Sequence, residues 1–134
     1  MTDRTLPQGL HPDTLAVREA IDRSQWGEHS EALYLTSSFV QPDCATAARR
    51  FANEEVGYTY SRTSNPTVTS FEKRLAAMEG TECAVATSTG MAAILLVALT
   101  ALKTGDHVIC SLSMFGSTIK LLGSEMARFG IETT

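Results

Sequence analysis

The sequence predicts an α/β fold in which a mainly parallel sheet is flanked by helices. The second half of the 134-residue chain alternates short apolar runs with longer helical segments, in the order strand, helix, strand, helix, strand. That alternation is typical of parallel strands joined by crossover helices. The five segments span residues 83–86, 88–102, 107–110, 117–129 and 131–134. The helix over 88–102 is apolar on nearly all faces, so we expect it to be buried.

A strongly signalled helix precedes this alternation. Asn65 is a preferred helix N-cap, and Pro66 suits the first helical position because the donor it lacks would have no partner there. Gly80 is expected to end the helix. The following apolar residues share one face of it: Val68, Phe71, Leu75 and Met78.

The first 64 residues have weaker patterning. We expect a short helix over 14–21, a loop over 26–30, a strand-like segment over 33–40 and a helix from Asp43 to about Glu55. A half-apolar arm of this kind commonly packs on another surface. The sequence is therefore divided into an N-terminal arm, residues 1–64, and the start of a large α/β domain, residues 65–134.

Composition and charge exclude several classes of protein. The formal net charge is −4 and basic residues form no cluster, which excludes a typical nucleic-acid-binding protein. The longest apolar run, residues 91–99, is far shorter than the roughly 20 residues that a membrane-spanning helix needs. The first eight residues are polar, without the apolar core of a signal peptide. These observations predict a cytoplasmic protein.

The three cysteines, Cys44, Cys83 and Cys110, are scattered and lie in or beside apolar runs. An odd number of scattered cysteines indicates a reducing compartment, and core-like neighbours favour buried thiols. No histidine stands near them at ligand spacing, so no metal site is expected. The alternative of a catalytic thiol has no nearby base to support it.

The sequence ends within the third predicted strand. A sheet of two complete strands and one incomplete strand would leave an edge and several helix faces uncovered. We therefore expect the chain to be part of a longer protein. A genuine small domain is the alternative.

A possible phosphate-binding turn lies where the first predicted strand meets its helix. Residues Ser88, Thr89, Gly90 and Met91 occupy that junction. Backbone N–H groups at a helix N-terminus lack partners, and the helix dipole favours an anion there. Gly90 permits a close approach, and Ser88 adds a hydroxyl donor. The segment matches neither the Walker loop nor the GxGxxG motif, and an ordinary helix cap is the alternative.

Two further features suit a phosphorylated aromatic ligand. Arg62 offers a planar, permanently charged group for phosphate oxygens, and Tyr60 adds a hydroxyl. Phe115 follows the second predicted strand, where an aromatic ring can stack on a flat ligand. The alternatives are a surface arginine beside an aromatic side chain and an ordinary core phenylalanine.

Three motifs in order carry a resemblance to a known family. YSRxxNPT begins at Tyr60, STGMAA at Ser88 and FGST at Phe115. Together they resemble the N-terminal third of the Cys/Met-metabolism enzymes that depend on pyridoxal phosphate, and the likeness extends over essentially the whole chain. It implies the N-terminal portion of an aspartate-aminotransferase-like (fold type I) transferase, with an extended arm before the start of the sheet.

The resemblance implies roles for particular residues. The backbone at Gly90 and Met91, with Ser88 beside it, would bind the phosphate of the cofactor, and Phe115 would stack on its pyridine ring. Tyr60 and Arg62 would reach the phosphate in the neighbouring subunit. The arm would thus contact the partner in a homodimer with shared active sites, expected to assemble further into a homotetramer.

The same resemblance suggests an activity and its alternatives. Most lyases and cystathionine synthases of the family carry Tyr where this chain has Phe115. That departure, with the segment 29–33, favours a γ-replacement enzyme of methionine biosynthesis that makes homocysteine from O-succinylhomoserine and sulfide. Cystathionine γ-synthesis or γ-elimination remains open. A non-catalytic fragment and a nucleotide-binding module are alternatives from other classes.

No catalytic residue is expected within the chain. In the family the Schiff-base lysine, the acidic partner of the ring nitrogen and the arginine for the substrate carboxylate lie beyond the position of Thr134. The lysines at 73, 103 and 120 lie at positions that the family does not use. His11 and His29 lie in the weakly patterned arm, and His107, which begins a strand, is expected to be structural. By itself the chain should be inactive.

Overall fold

The structure, a computed structural model, describes residues 9–134. Its internal contacts divide the chain into two compact units, Met1–Ala86 and Thr87–Thr134. The first unit contains helices α1 (Pro12–Arg18), α2 (Cys44–Phe51) and α3 (Pro66–Glu79). The second contains α4 (Gly90–Ala101), β1 (His107–Val108), α5 (Gly116–Lys120) and β2 (Glu132–Thr133). No helix among residues 9–134 is long and apolar enough to cross a membrane.

Helix α3 forms as the sequence predicts. The Asn65 side chain accepts a hydrogen bond from the Thr67 N–H, and Pro66 occupies the first turn. Gly80 ends the helix in the left-handed region at φ 66°, where a residue without Cβ is favoured. The local cap chemistry therefore sets both ends of this helix.

Helix α2 is shorter than expected. It starts at the Asp43 cap as predicted but ends at Phe51 rather than near Glu55. Asn53 adopts φ 59° and reverses the chain. The Glu55 carboxylate then folds back onto Arg49 and Arg50, at 2.8 and 3.1 Å. The ion pairs that Glu55 forms with Arg49 and Arg50 after this reversal replace a further turn of helix.

The strand expected over 33–40 is reduced to one antiparallel bridge, between Ser38 and Tyr60. The Phe39 N–H bonds to the Thr59 carbonyl at 3.1 Å, and the Ser61 N–H bonds to the Ser37 carbonyl at 2.9 Å. The ladder stops there because the chain turns after Tyr60. Helix α1 also differs slightly, since it ends at Arg18 and not near residue 21.

An arginine on α3 holds the preceding arm. One Arg74 nitrogen lies 2.7 Å from the Glu31 carboxylate, and Nε donates to the Glu19 carbonyl at 3.0 Å. Both charged side chains are mostly buried. The hydrogen bond from Arg74 holds the pKa of Glu31 below its usual value of 4.5.

Two parallel strands form the sheet of the second unit. His107 pairs with Glu132 and Val108 with Thr133, and a helical crossover joins the strands. The crossover changes geometry along its length, from α5 into a π turn over Leu121–Glu125 and a 3₁₀ turn over Met126–Phe129. Gly130 ends it at φ 74°. The α/β alternation and the parallel pairing predicted for 107–134 are thus present, in strands shorter than expected.

The core of this unit is small. It consists of the buried residues Ala98, Leu122, Met126 and Ile131. Met126 is 1% exposed and lies at the centre of the crossover's apolar face. Phe129, at the end of the crossover, is exposed.

Predicted burial fails at several apolar segments. The segment 83–86 forms no strand, and Val85 is 70% exposed. In helix α4 only Ala98 is buried, and the predicted apolar face of α3 is exposed. The segment 83–86 and helix α4 were expected to be buried from their apolar composition alone. Burial also requires a second surface, and no described segment of either unit covers these faces of its own unit.

The anchoring of the arm predicts a pH-dependent contribution to stability. Because the pKa of Glu31 is lower in the folded state, its contribution is present above about pH 4.5 and is lost as the pH falls through the lowered pKa. In the full-length protein, Glu31→Gln should lower the midpoint of thermal unfolding at pH 7 by about 2 °C. The difference from wild type should shrink below pH 4.5.

Glu19→Gln is the matched control, since Glu19 contributes only its carbonyl to Arg74. It should unfold like wild type at every pH. A Glu31→Gln difference that stayed constant from pH 7 down to pH 3.5 would contradict the assigned role of the Glu31 carboxylate.

Candidate functional site

The N-terminus of α4 presents unpaired backbone donors. Thr89 caps the helix in extended conformation, and its hydroxyl accepts from the Ala92 N–H at 3.1 Å. The Thr89 carbonyl accepts from the Ala93 N–H. Within the unit Thr87–Thr134, no acceptor bonds to the N–H of Gly90 or Met91. Two donors thus remain at the positive end of the helix dipole.

The surroundings of these donors leave room for a ligand. Ser88, Thr89 and Gly90 are exposed. A Cβ added at Gly90 would meet no atom within 4 Å. The Thr87 hydroxyl donates to the Thr89 carbonyl at 2.8 Å and steadies the turn before the helix. An anion can therefore reach both N–H groups without displacing protein atoms of this unit.

Phe115 lies at the start of the neighbouring helix. It is the N-cap residue of α5, and its carbonyl accepts from the Thr118 N–H at 2.8 Å. Thr118 is fully buried, and its hydroxyl lies 3.7 Å from the Met91 sulfur. That contact brings the starts of α4 and α5 together. The Phe115 side chain is 72% exposed, so it belongs to the accessible surface and not to the core.

Tyr60 and Arg62 form a pair within the first unit. The Arg62 guanidinium lies 5.3 Å from the centre of the Tyr60 ring, a cation–π distance. Both side chains are exposed, and no carboxylate among residues 9–86 pairs with Arg62. The Tyr60 carbonyl closes the turn by accepting from the N–H groups of Thr63 and Ser64, each at 3.0 Å. The pair thus offers a cation and a hydroxyl to an anionic ligand.

The candidate residues therefore fall into two groups. Ser88, Gly90, Met91 and Phe115 cluster around two helix starts in the second unit, whereas Tyr60 and Arg62 stack on each other in the first. Every one of them except the half-buried Met91 is exposed. The geometry within each group suits a phosphate.

Sequence reasoning missed the residues that support Tyr60 and Arg62. The sequence placed Ser61 and Asn65 in the motif that begins at Tyr60, but it assigned Asn65 a role only as a helix cap, gave Ser61 no role and did not identify Gln41. In the structure the Asn65 amide donates to the Ser61 hydroxyl at 2.9 Å and to the Tyr34 carbonyl at 3.0 Å. The motif and the four-residue spacing place Ser61 and Asn65 near each other, but neither one predicts a hydrogen bond between their side chains.

The cysteines and histidines have no place in either group. Cys44 and Cys83 are exposed, so the prediction that they are core-like was wrong, and Cys110 is half-buried. Cys110, with Val108, packs against the core of the second unit. His107, expected to be structural, shares a 2.7 Å hydrogen bond with the Thr134 hydroxyl.

Comparison with known proteins identifies the family. The model of the Cys/Met metabolism PLP-dependent enzymes matches residues 13–134. The chain is 53% identical over 125 residues to an O-succinylhomoserine sulfhydrylase of Pseudomonas aeruginosa, covering 93% of this chain and 31% of that protein. It is 42% identical over 121 residues to an L-methionine gamma-lyase of Fusobacterium nucleatum subsp. polymorphum, covering 90% and 31%.

Solved structures agree with this assignment. A putative O-acetylhomoserine (thiol)-lyase from Campylobacter jejuni, crystallised with N'-pyridoxyl-lysine-5'-monophosphate, matches with a TM-score of 0.82 and 34% identity. The match covers 92% of this chain and 31% of that one. The chain belongs to the Cys/Met-metabolism family of pyridoxal-phosphate-dependent enzymes and has the fold type I architecture of that family. It spans about a third of the length of the relatives that it matches.

Proposed function

We propose that the protein containing this chain is a pyridoxal-phosphate-dependent enzyme that makes homocysteine from O-succinylhomoserine and sulfide. The observation that carries the proposal is the pair of unbonded N–H groups at Gly90 and Met91, at a helix start that contacts the helix capped by Phe115. The 53% identity to a relative named O-succinylhomoserine sulfhydrylase supports the choice of substrate. The product would make this a step of methionine biosynthesis.

The second unit would hold the cofactor. The N–H groups of Gly90 and Met91 would donate to its phosphate, and the exposed hydroxyl of Ser88 would add a donor. The exposed ring of Phe115 would stack on the pyridine. When bound, pyridoxal phosphate supplies an electron sink for the carbon atoms of an amino-acid substrate. These residues orient the cofactor and exclude water from one of its faces.

The first unit would serve a second copy of the protein. Tyr60 and Arg62 have no anionic partner among residues 9–86 and would bind the phosphate in the partner subunit. Residues 1–64 would then act as a dimer-contacting arm and residues 65–134 as the start of the cofactor-binding domain. A homodimer with shared sites, assembled into a cytoplasmic homotetramer, is the arrangement we propose.

The remaining chemical groups would come from outside this chain. We expect the Schiff-base lysine and the arginine for the substrate carboxylate at positions beyond Thr134. Among residues 9–134, the proposed site residues would bind and orient the cofactor, and none of them is proposed as a general acid or base. The chain alone should therefore be inactive.

The alternative function is γ-elimination. The 42% identity to a relative named L-methionine gamma-lyase favours it. Phe115 argues against it, because it lacks the hydroxyl that a tyrosine at this position would bring near the cofactor for proton transfer. The missing hydroxyl at Phe115 and the higher identity to the sulfhydrylase together favour replacement by sulfide over elimination.

Product analysis of the full-length protein tests the proposed reaction. With O-succinylhomoserine and sulfide it should form homocysteine. The rate should exceed, by at least tenfold, both cystathionine formation with cysteine and 2-oxobutyrate formation from methionine. An enzyme that releases 2-oxobutyrate from methionine but makes no homocysteine would be a lyase, and the sulfhydrylase proposal would be wrong.

Gly90→Ala tests the proposed phosphate contact. An added Cβ meets no atom within 4 Å, so the helix should form as before. The methyl group would occupy space next to the proposed phosphate, and affinity for pyridoxal phosphate should fall about tenfold, or about 1.4 kcal/mol. Titration of the apoenzyme by absorbance measures the dissociation constant.

Gly123→Ala is the control, because Gly123 also has open space around it and lies outside the site. It should bind the cofactor like wild type. Equal affinities of Gly90→Ala and wild type for pyridoxal phosphate would mean that Gly90 is not part of the phosphate site.

A further inference from the structure

The turn that carries Tyr60 and Arg62 is tied down by the residue between them. The Ser61 hydroxyl donates to the Thr36 carbonyl and accepts from the Asn65 amide, the latter at 2.9 Å. The Ser61 N–H donates to the Ser37 carbonyl at 2.9 Å. Both the backbone and the side chain of Ser61 are therefore held by the arm and by the start of α3.

Asn65 uses both ends of its side-chain amide. Its oxygen accepts from the Thr67 N–H at 2.9 Å, which is the helix cap. Its nitrogen donates to the Ser61 hydroxyl and to the Tyr34 carbonyl. Asn65 is 6% exposed, so a lost partner would leave a buried polar atom unsatisfied. A helix cap needs only the oxygen, and the two donor contacts are additional.

A second amide holds the other side of the turn. Gln41 Nε2 donates to the Phe39 and Tyr58 carbonyls at 2.8 and 3.0 Å, and its oxygen accepts from Arg50 at 2.8 Å. The segment 58–62 is thus bonded to the segment 36–41, through Tyr58 near its start and Ser61 near its end. Its exposed side chains, Tyr60 and Arg62, take no part in this bonding.

We propose that Ser61 and Asn65 are positioning residues that hold Tyr60 and Arg62 ready for the phosphate of the cofactor. The inference rests on the proposed function of Tyr60 and Arg62. A phosphate gains most from a guanidinium and a hydroxyl that are already in place, because ordering them on binding costs entropy. Ser61 and Asn65 keep the turn ordered through their hydrogen bonds to the carbonyls of residues 34 and 36, and they do not touch the ligand.

Removal of the Ser61 hydroxyl tests the proposal in the full-length protein. Ser61→Ala should weaken binding of pyridoxal phosphate to the apoenzyme about tenfold, since it breaks two hydrogen bonds of the turn. The rate at saturating cofactor should stay within twofold of wild type. Asn65→Asp, which retains the capping oxygen and loses the donor, should show the same pattern.

Ser64→Ala is the matched control. Ser64 lies in the same turn, and its hydroxyl makes no hydrogen bond within residues 9–86. It should bind the cofactor like wild type. A loss of affinity equal to that of Ser61→Ala would mean that any change in the turn has this effect, and would overturn the proposal.

Coupling to Arg62 separates positioning from general stability. If Ser61 acts through Tyr60 and Arg62, its effect should fall below twofold in a Tyr60→Phe, Arg62→Ala background. A tenfold effect in that background would overturn the proposal. So would a wild-type affinity for both Ser61→Ala and Asn65→Asp.

The outcomes also separate this inference from the proposed function. If Arg62→Ala weakens cofactor binding and Ser61→Ala does not, only the inference fails. If Arg62→Ala itself leaves the affinity unchanged, the phosphate-binding role of Arg62 fails, and the positioning role fails with it.

Discussion

The buried side-chain amide of Asn65 is the contact on which the geometry of the first unit depends. It joins Tyr34, 31 residues earlier in the chain, to the nearby turn at Ser61 and to the first turn of helix α3. The amide is nearly inaccessible to water. Losing any one of these hydrogen bonds would therefore leave a buried polar atom unsatisfied, at a cost of about 1–3 kcal/mol. One residue therefore caps helix α3 and also bonds to the turn that carries Tyr60 and Arg62.

Local rules account for most of what the sequence predicted correctly. The caps at Asp43, Asn65 and Thr89 and the left-handed glycine at 80 depend on neighbours within a few residues, so they could be identified without a structure. The end of α2 could not, because it depends on Glu55 returning to Arg49 after a reversal at Asn53. The strand over 83–86 failed for a related reason: a strand requires a partner, and apolar composition does not supply one.

The candidate site residues likewise divide into those that local rules predict and those that depend on contacts between more distant residues. Gly90 and Met91 were predictable because unpaired N–H groups at a helix start follow from the capping pattern alone. Arg62 stacks on Tyr60 only two residues away, but the support from Ser61, Gln41 and Asn65 depends on contacts across 4 to 31 residues. The motif identifies the candidate residues in the sequence, and the hydrogen bonds to residues 34–41 determine how the turn that carries Tyr60 and Arg62 is held.

A mixed dimer tests most directly the central claim, that each phosphate is bound by Gly90 and Met91 of one subunit and by Tyr60 and Arg62 of the other. Two differently tagged full-length copies would be co-expressed, one with Arg62→Ala and one with Gly90→Glu, and the mixed species isolated by tandem affinity. Shared sites predict that one site of each dimer combines intact groups, so half of the subunits should bind pyridoxal phosphate with wild-type affinity. If no wild-type site forms in the mixed dimer, the two groups act within one subunit and the claim is contradicted.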